Sequence, residues 1–284
     1  MTGGSIGLGR RLTWPDDYFS LFQGLNFKRY KLNNYLSSFL SVGDGNGAFN
    51  LISYSFVLSR NSVSQPLYPR SGSEFQLGLE ITPPYSLFTN KDYTNLSDNE
   101  KYKWIEMHRW TFKAVWYTEL YEKLVMMTRV RFGYLGHYNK QIGPTPFHRY
   151  FMGGDGLSGY SMDSRELVGM RGYANNSLTP GAYNNSNQGG DMFTKYTLEL
   201  RYPLSLNPQA TIYALTFLEA GNCWLGFKDF NPFDVKRSAG LGVRIYLPMF
   251  GLLGLDWGYG FDDVYGTTGN NHSQFHFSIG GSID

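Results

Sequence analysis

The sequence predicts an all-β chain: part of an antiparallel transmembrane β-barrel, with about eleven strands present. Three observations predict it. Most segments alternate between apolar and small or polar residues, connectors alternate between short and long, and the composition is aromatic yet hydrophilic. Aromatic residues make up 17% of the 284 and glycine supplies 34, while mean hydropathy is only -0.34. A membrane barrel reconciles these values, because lipid-facing residues alternate with lumen-facing polar ones and aromatic girdles mark both interfaces. A secreted β-sandwich can share the Tyr and Gly content, so the patterning carries the prediction.

Alternation is clearest in Gly251 to Asp262. Leu253, Leu255, Trp257, Tyr259 and Phe261 share one face, with Gly254, Asp256, Gly258, Gly260 and Asp262 on the other. The same period of two places Leu198, Leu200 and Tyr202 opposite Thr197, Glu199 and Arg201. It places Leu241, Val243 and Ile245 opposite Gly240, Gly242, Arg244 and Tyr246. Phe75, Leu77, Leu79 and Ile81 alternate with Gln76, Gly78 and Glu80, and Phe275, Phe277 and Ile279 alternate with His276 and Ser278. The expected arrangement is apolar outward to lipid and polar inward to a wet lumen.

Connectors sort by length. Trp14 to Asp17, Tyr68 to Gly72, Thr118 to Lys123, Pro203 to Pro208 and Leu247 to Phe250 read as short. Between them, Lys31 to Gly47, Ser86 to Lys103, Gly136 to Gly190, Gly221 to Asp234 and Asp262 to Ser273 read as long. Short periplasmic turns alternating with longer extracellular loops are a barrel property; a sandwich has no reason to sort its loops this way.

No run approaches the length of apolar sequence that a membrane-crossing helix requires. Met1 to Arg11 is Gly-rich and does not read as a signal peptide. Cys223 stands alone, so no intrachain disulfide forms, and the net charge of +2 gives no basis for nucleic-acid binding. His108, His137, His148, His272 and His276 lie among many Ser and Asp without a nucleophile elbow, metal-ligand spacing or phosphate loop. No enzymatic activity, cofactor or metal is expected. Eleven is odd where bacterial barrels have even strand numbers. The expectation is therefore that residues 1–284 are the C-terminal portion of a barrel, with N-terminal strands and any preceding domains outside the sequence.

The longest connector holds Gly153-Gly154 and then Gly169-Met170-Arg171-Gly172-Tyr173. The next strand carries Glu199, and the one after carries Glu219, two residues before Gly221 and five before Trp224. This constellation resembles the barrel of the outer-membrane assembly factor family (BamA and its TamA relatives). The resemblance extends over essentially the whole chain, from about the sixth strand of a sixteen-strand barrel to the last. Two features depart from the family: about a dozen residues, Asp155 to Val168 with a second Gly-Tyr at Gly159-Tyr160, separate the Gly pair from the Arg element. The chain also ends in Ser282-Ile283-Asp284 rather than an aromatic residue.

The resemblance implies that the loop folds into the lumen from a base at Gly153 and Gly154. Arg171 meets Glu199 and Glu219 there, with Gly172 allowing close approach and Tyr173 packing beside it. It implies a barrel in the outer membrane that folds and inserts nascent β-barrel proteins and works with accessory lipoproteins and the lipid bilayer. The last strand, with Phe275, Phe277, Ile279 and Gly280, is the implied gate whose edge pairs with an incoming strand. Glycines there and in the preceding strand (Gly258, Gly260, Gly280, Gly281) either weaken pairing at that gate or fit a crowded lumen wall. A polypeptide-secreting pore of the same superfamily and a passive diffusion porin are the alternatives.

Overall fold

The computed structural model describes residues 1–34, 45–89, 91–156, 165–180, 188–207, 209–249, 251–264 and 272–280. Gly159-Tyr160, Pro208, Phe250, Gly281 and Ser282 to Asp284, named above, lie outside them. Eleven strands form one antiparallel sheet in sequential order. They are β1 (Thr2–Arg11), β2 (Phe19–Leu32), β3 (Gly47–Asn61), β4 (Gly72–Ile81), β5 (His108–Tyr121) and β6 (Leu124–Gly136). After the long connector come β9 (Met192–Asn207), β10 (Ala210–Trp224), β11 (Lys236–Leu247), β12 (Gly251–Gly260) and β13 (Ser273–Ile279). Two short strands inside that connector, β7 (Tyr150–Met152) and β8 (Glu166–Val168), pair with each other in parallel. The large sheet is not closed: β1 and β13 are its two edges.

Alternation sorts the faces as the period requires. On β12, Leu255, Trp257 and Tyr259 are exposed while Asp256 is fully buried, and on β13 Phe275, Phe277 and Ile279 are exposed while His276 and Ser278 are buried. A water-soluble fold buries the aromatic face; here the charged face is the covered one, which is the arrangement of a wall with lipid outside. Several strands run further than their residues suggest. β9 continues through Pro203 to Asn207, the ladder absorbing the missing donor at a register shift between Ile212 and Tyr213 of β10. β5 likewise runs to Tyr121, leaving Glu122 and Lys123 as the connector to β6.

The lumen departs from the expectation of a uniformly polar, wet interior. The described residues of this connector, 137–156, 165–180 and 188–191, fold back against the inner wall, and Phe147, Tyr150, Met152, Val168, Met170 and Tyr173 bury against Phe49, Leu51, Leu135 and Phe193. The connector brings its own apolar side chains, so inner-wall residues under it are covered by protein rather than water. A second buried cluster joins Tyr68 of the 62–71 turn to Val125, Tyr213, Leu215 and Phe217, and the Tyr68 hydroxyl donates to the carbonyls of Arg201 (2.8 Å) and Lys123 (2.9 Å). The long loop and this short turn thus pack against the inner wall at its two ends.

Candidate functional site

Local backbone geometry shapes the loop tip. Gly153 and Gly154 have φ of +121° and +79°, a region that favours glycine, and they turn the chain after β7. The Gly153 N–H donates to Val168, and Gly154 and Met170 exchange bonds of 3.1 and 2.8 Å. The double glycine therefore clasps the strand leading into Arg171, close under the tip rather than at the loop base. Gly172 has φ +85°, and a side chain there would meet Tyr259 and Gly260 backbone atoms at 2.9 and 3.0 Å. At Gly258 of β12 an added Cβ would lie 2.6 Å from the Gly172 nitrogen. Of the two readings left open for this glycine, the crowded wall is the one that the geometry supports: Gly258 forms a floor on which the tip lies flat.

Strand register gathers the acidic partners. Glu219 on β10 is paired with Thr197 of β9, which puts Glu199 two residues further along the same face. Asp256 on β12 stands beside His276 of β13. Into this concavity comes Arg171, fully buried. Its Nη2 donates to Glu199 Oε1 (2.7 Å) and Glu219 Oε1 (2.8 Å), and its Nε to Glu219 Oε1 (3.2 Å). Its Nη1 reaches Asp256 Oδ1 (3.4 Å), and its backbone N–H donates to Glu219 Oε2 (2.9 Å). The guanidinium also lies 3.7 Å from the Phe217 ring centroid, a cation–π contact in a desolvated setting.

The wall supplies its own cations to the same carboxylates. Lys195 lies 3.1 Å from Glu219, Arg201 2.7 Å from Glu199, and Arg244 2.9 Å from Asp256. Each acid thus has a partner on the sheet as well as Arg171 from the loop. Gly172 N–H donates to His276 Nε2 of β13 at 2.8 Å. Tyr173 donates its hydroxyl to the Arg237 carbonyl (2.6 Å), and burial pushes its phenol up to about 12, so it remains a donor.

A second set of charges ties the other arm of the loop to the opposite side of the sheet. Arg109 of β5 bridges Glu166 of β8 and Glu80 of β4, the latter at 2.8 Å. Glu80 also accepts from Ser53 of β3 at 2.6 Å. His148 Nδ1 lies 3.8 Å from Glu166, and its Nε2 is hydrogen-bonded to the Tyr30 hydroxyl of β2 at 3.3 Å. The loop thus carries a cation to one set of strands and an acid to another.

Of the residues singled out in the sequence, Arg171, Gly172, Tyr173, Glu199 and Glu219 come together. Phe275, Phe277 and Ile279 are far from that cluster in role: they line the outward face of β13, at 74%, 46% and 58% exposure. Gly280 follows the strand with φ +82° rather than belonging to it. Sequence reasoning assigned no part to Asp256, His276, Lys195, Arg244 or Phe217 at the tip, nor to Arg109 and Glu166 at the other arm. Alternation alone placed Asp256, Arg244 and His276 on the inner face. Their convergence on one loop residue depends on register.

A family model described as the Omp85 superfamily domain matches residues 1–283. Among solved structures, BamA from Haemophilus ducreyi lacking POTRA domains 1-3 is 20% identical with TM-score 0.65, covering 97% of this chain and 53% of that one. CdiB from Escherichia coli is 15% identical with TM-score 0.55, covering 97% of this chain and 44% of its own. At these identities the likeness is one of fold. The chain spans about half the length of the solved structures it matches. No curated protein matches it.

Proposed function

Because the chain belongs to the Omp85 superfamily, we propose that it is the barrel portion of an outer-membrane machine that folds and inserts β-barrel proteins into that membrane. The work is physical rather than chemical. An incoming strand adds to an exposed sheet edge, which supplies main-chain hydrogen bonds, while the lumenal loop fixes the shape of the wall beside it. In this reading β13 is the receiving strand, and Phe275, Phe277 and Ile279 keep its outer face in lipid. Nascent barrel proteins are the clients, and accessory lipoproteins and the bilayer are the working partners.

The observation that carries the reading is the burial of Arg171 among Glu199, Glu219 and Asp256. Burying a charge is costly unless it is paired and hydrogen-bonded. A passive pore gains nothing from sealing its lumen with such a cluster, whereas a machine that must hold and release one edge of its barrel does. A polypeptide-secreting pore of the same superfamily, which shares the Arg loop, is the second reading.

One experiment separates them. The full-length parent protein, wild type or Arg171→Ala, is expressed while the host's own assembly factor is depleted, and the amounts of several unrelated outer-membrane barrels are followed. Restoration by the wild type with impairment in the variant supports assembly. Unchanged barrel levels, with the parent dispensable, favour the secretion pore.

A further inference from the structure

We propose that His276 is the positioning residue that couples the loop tip to the last strand, and that it does so only while its imidazole is neutral. This inference deepens the assembly reading and rests on it for its biological meaning. The contacts of Arg171 reach β9, β10 and β12. The step to β13 is the bond from the Gly172 N–H to His276 Nε2, 2.8 Å long and buried. It binds the backbone of the tip to the strand whose far side is the open edge of the sheet.

Chemistry makes this bond conditional. A neutral imidazole has one donor nitrogen and one acceptor. A backbone N–H can only donate, so Nε2 must be the acceptor and the proton must reside on Nδ1. Imidazolium carries protons on both nitrogens and has no acceptor. Protonation therefore sets N–H against N–H and leaves the Gly172 amide buried and unpaired, which costs the desolvation of that group. Gly172 has little room to shift toward β12, because a Cβ built on it would meet backbone atoms of Tyr259 and Gly260 at 2.9 and 3.0 Å.

Charged groups surround the ring from each neighbouring element: Asp155 and Arg171 from the loop, Asp256 from β12 and Glu219 from β10. Arg244 of β11 is paired to Asp256. The three carboxylates favour a cation on the ring, while Arg171 and burial oppose it, so the balance depends on whether the loop is seated. Seating Arg171 and keeping His276 neutral support each other. Unseating the loop removes Arg171, Asp155 and the burial together and leaves Asp256 and Glu219, held by Arg244 and Lys195, beside the ring. A ring that gains a proton there has no acceptor for the Gly172 amide, and the latch does not close again. One side chain in the last strand thereby reports the position of the loop.

The test is amide hydrogen exchange over residues 273–280 in the full-length protein in lipid vesicles, corrected for intrinsic rates, at pH 4.5 and 7.5. Wild type is expected to exchange roughly tenfold faster at the lower pH, the effect of one buried hydrogen bond. His276→Gln keeps an acceptor that does not titrate, so exchange should be slow and equal at both values; His276→Leu should be fast at both. A wild-type profile that is flat, or a His276→Gln profile that still rises at pH 4.5, overturns the proposal. If His276→Leu fails to fold, the wild-type and Gln pair still decides. Loss of the assembly function with this profile intact would sink the assembly reading alone; intact assembly with a flat profile would sink the latch alone.

Discussion

Glu219 holds Arg171 by both side chain and backbone, accepting from the guanidinium Nη2 at 2.8 Å and Nε at 3.2 Å and from the Arg171 backbone N–H at 2.9 Å. The backbone bond fixes the main chain of the loop, which a side-chain ion pair alone cannot do. It also makes the two partners unequal. When Arg171 is lost, Glu219, Glu199 and Asp256 keep Lys195, Arg201 and Arg244. When Glu219 is lost, Arg171 and Lys195 both lose a buried partner, and an amide of the tip loses its acceptor.

Glu219→Ala is therefore expected to destabilise the folded barrel more than Arg171→Ala. An orphaned charge in a buried pair costs about 3–5 kcal/mol, whereas removing the loop cation leaves no acid unpaired. Arg171→Ala should chiefly free the loop, seen as faster protease cleavage within residues 137–191 at a nearly unchanged unfolding midpoint. Urea unfolding in lipid combined with limited proteolysis checks both, and equal loss of stability in the two variants would contradict the asymmetry.

Gly258→Ala should unseat the tip without touching a charge. Its Cβ would lie 2.6 Å from the Gly172 nitrogen and 3.1 Å from the Arg171 carbonyl carbon, so backbone must shift. Overpacking of this kind costs about 1–3 kcal/mol. Gly4→Ala on β1, where nothing lies within 4 Å, is the matched control and should be neutral. Protease sensitivity of the loop and unfolding midpoints of both variants test the contrast.

Arg109→Ala should release the other arm of the loop while leaving the tip seated. Arg109 joins Glu166 directly to the Glu80 side of the sheet, beside a longer route from Glu166 through His148 to Tyr30. Cleavage is expected to accelerate near Arg165 and Glu166, with exchange at residues 171–173 unchanged. Simultaneous release of both arms would show that they are one cooperative unit instead of two.

The loop exit should tighten as pH falls from 8 to 5. Asp191 precedes β9, and burial pushes its carboxyl up to about 7, against the pull of Arg149 at 3.3 Å. Its folded value lies above its ordinary one of 3.8, so the folded state binds the proton more tightly. The resulting stability is full below roughly 4 and is lost as pH rises through about 7. Proteolysis between residues 180 and 192 should therefore be slower at pH 5 than at pH 8, a difference that Asp191→Asn abolishes. Persistence of the difference in that variant would assign it elsewhere.

Period two and connector length were legible in the residues because each is local. Side chains point to opposite faces of any strand, so Leu255, Trp257 and Tyr259 had to part from Asp256 whatever their partners were. The pairing of Arg171 with Glu199 and Glu219 was legible only through resemblance, since no local pattern links residues 28 and 48 positions apart. Asp256, His276 and Arg244 were placed on the correct face and given no role. Arg109 and Glu166 were not singled out, because an Arg and a Glu 57 positions apart look like solvated charges until the loop brings them together.

What the sequence by itself determined is therefore an all-β chain with one face for lipid and one for the interior, and the order of its strands. Tertiary structure decided which inner-face charges meet, that an apolar cluster fills part of the lumen beneath the loop, and that Gly258 supports the tip of the loop. The physical reason is register. Alternation fixes a side chain's face to within one residue, but contact across a barrel depends on how far each strand slides against the next, and that sum is set only when the whole sheet and its loop pack together.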